Sequence, residues 1–66
     1  MKYIVIEIQK TGDTVGNFVF AYDTRNEAEA KYHAILAVAA VSAVNAHSAV
    51  MIDEEGNFYK SECFKH

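Results

Sequence analysis

Between positions 24 and 33 the chain reads Thr-Arg-Asn-Glu-Ala-Glu-Ala-Lys-Tyr-His, and within it lie the residues best suited to hold a ligand. Arg25 is the only arginine, and it stands where a helix is expected to begin. Unpaired amides and the positive end of the helix dipole favour an anion there, and Thr24 and Asn26 add donors. Asn26, Glu29 and His33 follow at i, i+3 and i+7, one stripe of a helix. A guanidinium suits phosphate, and a carboxylate can accept from both hydroxyls of a ribose. Tyr22, Phe18 or Tyr32 would supply a ring on which a base could stack. His47 is a further polar candidate just past the expected end of the helix, where it either joins a ligand or meets the terminal carbonyls. The plain alternative is an i, i+4 ion pair between Arg25 and Glu29, with His33 merely exposed.

Catalytic chemistry has less to stand on. Cys63, Ser42, Ser48 and Ser61 are the nucleophile candidates, and no motif surrounds them. His33, His47 or His66 would have to meet one of them, and no spacing demands it. Cys63 and His66 form C-x-x-H, which with His47 is thin for a zinc site. Cys63 reads instead as a small buried hydrophobe on a strand. Asp53, Glu54 and Glu55 read as a solvated charge run at a turn. No catalytic residue, metal or cofactor is assigned.

The elements that must position these residues are legible in outline. Tyr3 to Gln9 is rich in β-branched residues, with Ile4, Ile6 and Ile8 on one face of a strand. Thr11 to Asn17 collects turn residues, and Phe18, Phe20 and Tyr22 then alternate against Val19 and Ala21, so the segment forms a hairpin. Thr24 followed by Glu27 is a capping box, which starts a helix at Arg25. Alanine is the best helix former and no breaker intervenes, so the helix is expected to reach about Asn45. Ser48 to Asp53 returns to strand, residues 54–57 turn, and Phe58 to Lys65 forms the last strand. The fold expected for this one domain of 66 residues is α+β, ββαββ, a four-stranded antiparallel sheet with the helix on one face.

The helix carries two apolar seams. Ala28, Tyr32, Ile35, Leu36, Ala39, Ala43 and Ala46 form the bulkier one, which should face the sheet. Ala30, Ala34, Ala37, Val41 and Val44 form the other, which a monomer would leave in water. Propensity filler on a solvated face would normally include lysine and glutamate, and none occurs between Lys31 and Asp53. A homodimer or homotetramer packed through that seam is therefore expected, with polar residues at its edge lining a groove between subunits.

Bulk properties exclude several partners. A net charge of −3 with six basic residues argues against nucleic acid and anionic membrane surfaces. The alanine-rich stretch is too short to span a bilayer, and no secretory pattern opens the chain. One cysteine permits no internal disulfide, so a cytoplasmic location is expected.

The run GNFVFAYDTRNEAEAKYHAILAVAAVSAV, followed by HSAVMIDEEG, resembles small proteins encoded by phages and mobile elements of Firmicutes. The likeness covers nearly the whole chain through its overall pattern, without a diagnostic motif. Such proteins include anti-defence sponges, small oligomers that sequester nucleotide immune signals such as the ADP-ribose derivatives of Thoeris defence. The resemblance implies a non-catalytic, homo-oligomeric binder of a nucleotide-like molecule. The competing expectation is a structural or interaction module of a phage or mobile element, whose open sheet face or edge docks a host or virion protein.

Overall fold

Strand-forming residues dominate both ends of the chain and helix formers its middle, and the computed structural model, which describes residues 1–66, follows that division. The elements are β1 (Tyr3–Thr11), β2 (Thr14–Tyr22), α1 (Arg25–Ala39), β3 (Ala46–Asp53) and β4 (Phe58–Lys65). The sheet is antiparallel throughout, with strands in the order β2-β1-β3-β4. The two hairpins thus sit side by side, and β1 and β3 make the centre. No helix is long and apolar enough to cross a membrane.

The turn between β1 and β2 is tighter than its composition suggests. Thr11 pairs with Thr14, so only Gly12 and Asp13 turn, and β2 begins inside the stretch expected to be loop. Gly12 has φ +60, the positive value that the first central position of a type II′ hairpin turn requires. Its amide donates to Asn45 Oδ1 at 2.7 Å, which ties the hairpin tip to the segment entering β3.

The helix starts where its capping residues place it. Thr24 Oγ1 accepts from the Glu27 amide at 3.3 Å and donates to the Glu27 carboxylate at 2.9 Å. The carboxylate therefore takes the threonine hydroxyl rather than the Thr24 amide.

The helix does not reach Asn45. It closes at Ala39, where the amides of Ala40, Val41 and Ser42 turn back onto Leu36, Val38 and Ala39. Topology overrides propensity at this point. The helix ends above the strand ends at which β3 begins, and the chain must drop to the sheet layer there, roughly 10 Å below. At about 3.5 Å per residue that descent takes at least three extended residues. A helix running on to Asn45 would leave none before Ala46 pairs with Lys10. Val41 and Val44, expected on the outer seam, consequently lie in the connection, as does Ala43 of the expected inner seam, and Ala46 lies on β3.

The core is small. Ala28, Tyr32, Ile35 and Leu36 of α1 bury against Val5, Ala49 and Met51 of the central strands, and Ala39 is buried at the end of the helix. Ala28, Ala39 and Ala49 have no exposed surface, so alanines meeting from both layers bring the helix close to the sheet. Tyr3, Phe20, Tyr22, Tyr59 and Phe64 close the margins. Pairing of Val5 with Met51 puts the odd-numbered residues of β1 under the helix. Ile4, Ile6 and Ile8 consequently lie on the opposite side of the sheet, away from the core.

Candidate functional site

Polar side chains gather in two places on the helix-covered side, one at each end of α1.

At the helix start, Glu29 is the centre. Lys60 Nζ donates to Glu29 Oε2 at 2.7 Å, Arg25 Nε lies 3.6 Å from Oε1, and His33 Nε2 lies 3.4 Å from Oε2. The hydrogen bond from Lys60 holds the Glu29 carboxyl below the usual carboxylate range, with Arg25 and His33 adding to the effect. The Arg25 guanidinium also stands 4.9 Å from the centre of the Tyr59 ring, within cation–π range. Asn26 is exposed beside it. The i, i+4 pair read as the plain alternative is thus present, enlarged by Lys60.

Lys60 and Tyr59 were not singled out from the sequence. Both reach the helix side because the β3–β4 pairing slips by one residue between Met51 and Ile52. Met51 pairs with Lys60 while Ile52 pairs with Phe58, so Tyr59 is the extra residue of a bulge. A regular strand would send one of these two neighbours to the far face. The pairing register, and with it this bulge, arises from contacts with β3 that no local pattern in β4 announces.

Three of the expected ligand residues are otherwise engaged. Thr24 is committed to the helix cap. Tyr32 is only 4 % exposed, with its ring in the core, so it offers no face to a base; burial pushes its hydroxyl pKa up. Tyr22 is half-buried against the same core. Phe18 remains exposed, on the side of the sheet that carries Phe20 and Tyr22.

His47 stands apart from all of these. It was expected to meet helix carbonyls or a ligand, but it lies on β3, 2 % exposed, at the far end of the helix. Its Nε2 is 2.6 Å from Glu7 Oε2 and its Nδ1 is 2.9 Å from Ser42 Oγ. Gln9 Nε2 donates to the same Glu7 oxygen at 3.1 Å. Two proton arrangements satisfy this chain. A neutral ring donates from Nε2 to Glu7 and accepts from Ser42. A protonated ring donates at both nitrogens, and the Ser42 hydroxyl then turns to Ala39 O, 3.4 Å away. The terminal-carbonyl role falls to His66, whose Nε2 donates to Ala39 O at 2.9 Å.

A serine, a histidine and a carboxylate in series invite comparison with a hydrolytic triad, and two features oppose it. The ring is reversed relative to the serine-hydrolase arrangement, in which Nε2 meets the serine and Nδ1 the carboxylate. Ser42 also follows the C-terminal end of α1, where helix carbonyls carry the negative end of the dipole and disfavour an oxyanion. The set clamps the exit of the helix to the centre of the sheet.

Two further expectations are corrected. Asp53 is not a solvated member of a charge run: it is 2 % exposed. It accepts from the amides of Glu55 and Asn57 and from Asn57 Nδ2, each at 2.9 Å, and from the Tyr59 hydroxyl at 3.1 Å. Asp53 therefore organises the β3–β4 turn, and these bonds, that from the Asn57 side chain foremost, hold its pKa below the ordinary value. Cys63 is exposed rather than buried. It pairs with Ser48 on the face opposite His47, so the C-x-x-H cysteine and His47 do not converge.

The chain matches no family model, no curated protein and no solved structure.

Proposed function

We propose that this protein is a non-catalytic binder of an anionic, nucleotide-like molecule, held at the helix start by Arg25, Lys60 and His33. The observation that carries this reading is the convergence of those three basic side chains on Glu29 in a chain of net charge −3. One carboxylate does not balance Arg25 and Lys60 together, so the cluster attracts phosphate. Arg25 stacked on Tyr59 offers a flat cationic and aromatic surface to a base, and Asn26 and Glu29 reach sugar hydroxyls. Self-association, expected from the alanine seam, belongs to this proposal, as does a cytoplasmic setting in which an exposed single thiol such as Cys63 persists.

The test is a thermal-shift panel of ADP-ribose, its conjugates and cyclic dinucleotides. A ligand bound to the folded state alone at about 100 times its Kd adds about 2.7 kcal/mol, a rise of many degrees for so small a domain. Arg25→Ala and Lys60→Ala should each remove the shift while lowering the unliganded Tm by several degrees at most, because partly exposed ion pairs contribute about 1 kcal/mol or less. No shift with any compound at millimolar concentration would refute the reading.

A second reading has its own support. The uncovered sheet face carrying Ile4, Ile6 and Ile8 suits a module that docks a host or virion protein.

A further inference from the structure

The side of the sheet away from the helix carries apolar side chains that no element of the chain covers. Strand alternation places Ile4, Ile6, Ile8, Val19, Val50 and Ile52 there, on three adjacent strands. Val19 and, on β4, Phe58 are each 63 % exposed. The largest aliphatic side chains of β1 therefore lie outside the core, while beneath the helix the same strand presents Val5 flanked by Tyr3 and Glu7. Only 10 of 66 residues are buried, which is little for an independent fold.

We propose that a second copy of this chain covers this face, giving a four-layer dimer with the two sheets packed against each other and the helices outside. Area favours this occupant. Four strands about 4.8 Å apart, each eight or nine residues long at about 3.3 Å per residue, present about 500 Å² in projection, and pleated side chains raise the accessible area. That approaches the about 800 Å² each partner of a standard interface buries. The alanine seam offers far less: a 15-residue helix about 22 Å long and 10 Å wide presents about 220 Å², much of it methyl groups.

Charge also fits a twofold partner. Between its two ends the face carries no acidic or basic side chain, its polar members being Asn17, Ser48, Ser61 and Cys63, and Lys10 and Lys65 mark one end of it. An axis along the strands would lay these lysines over their own copies. An axis across the strands lays them over the opposite end, where Asp23, Glu54 and Glu55 outnumber the Met1 amine and Lys2. Two identically twisted sheets pack at about −30° without distortion. The proposal deepens the self-association part of the functional reading by moving the contact from the helix seam to the sheet. The Arg25 cluster then lies on the outer surface, clear of the interface.

Light scattering and sedimentation across a concentration series test it. The 7.4 kDa chain is expected to run at about 15 kDa at tens of micromolar. Val19→Lys and Phe58→Lys alter positions already exposed in a single chain, so each variant keeps its fold. Each should halve the mass or weaken association at least tenfold, whereas Ala34→Lys on the outer helix face leaves the dimer intact. A monomeric wild type, or a dimer that survives both sheet variants, overturns the proposal, as does dissociation by Ala34→Lys alone. A monomer that still shows the ligand-induced thermal shift would sink the sheet dimer and leave the ligand reading standing. A dimer without any shift would do the reverse.

Discussion

His47 Nε2 stands 2.6 Å from Glu7 Oε2, joining two residues 40 positions apart across the centre of the sheet. Ser42 on the other ring nitrogen extends the link to the end of the helix. This chain of contacts explains how a helix with no basic residue in its last turn is held down at its C-terminal end.

Removal of the imidazole should therefore be costly. His47→Ala leaves a cavity and a Glu7 carboxylate with Gln9 as its remaining partner, and is expected to lower unfolding stability by about 3 kcal/mol. Ser42→Ala removes one hydrogen bond at a half-buried position and should cost about 1 kcal/mol. Urea titrations of the two variants read the difference. A fluorophosphonate probe should leave Ser42 unlabelled; stoichiometric labelling would identify a nucleophile and end the clamp interpretation.

Asp53 gives the fold an acid-sensitive element. Its folded pKa is depressed, so the stability it contributes is fully present above the unfolded carboxyl range near pH 4, and is lost as pH falls through the folded value. Asp53→Asn should lower the Tm at neutral pH, and the gap to wild type should narrow toward about pH 3. Glu29 and Asp23 are depressed too and remain in the variant, so its acid limb is shallower but not flat. An equal Tm gap at both pH values would contradict the assignment.

The two glycines of the first hairpin should respond differently to alanine. Gly12 has φ +60 with nothing within 4 Å of an added Cβ, so Gly12→Ala meets only backbone strain, about 1 kcal/mol. Gly16 has no such torsion, and the nearest atom to its added Cβ is Gln9 O at 3.9 Å, so Gly16→Ala is expected to be neutral or slightly stabilising. Denaturation midpoints distinguish these outcomes.

The alanines divide by face. Ala49 is fully buried beneath the helix, and Ala49→Leu should cost about 1–3 kcal/mol by forcing the layers apart. Ala37 is exposed on the outer face, where leucine is tolerated within about 0.5 kcal/mol. Calorimetry of both variants should show the contrast; equal losses would mean the outer face is packed in solution.

Local chemistry in the sequence determined where the helix starts, which of its residues turn inward, and where the last strand runs. Thr24 with Glu27, the spacing from Ala28 to Ala39, and the run from Phe58 to Lys65 each act within a few residues, so they are legible without the fold. The i, i+4 pairing of Arg25 with Glu29 was legible for the same reason. Only tertiary structure decided that the helix stops at Ala39 despite alanine propensity, because the chain must descend to pair Ala46 with Lys10. It alone joined Glu7 to His47, brought Lys60 to Glu29 through a bulge, and buried Asp53. It also turned Ile4, Ile6 and Ile8 away from the core. Period-two alternation in a strand marks an apolar face without saying which side the helix will cover, and that choice is made by register between strands far apart in the chain.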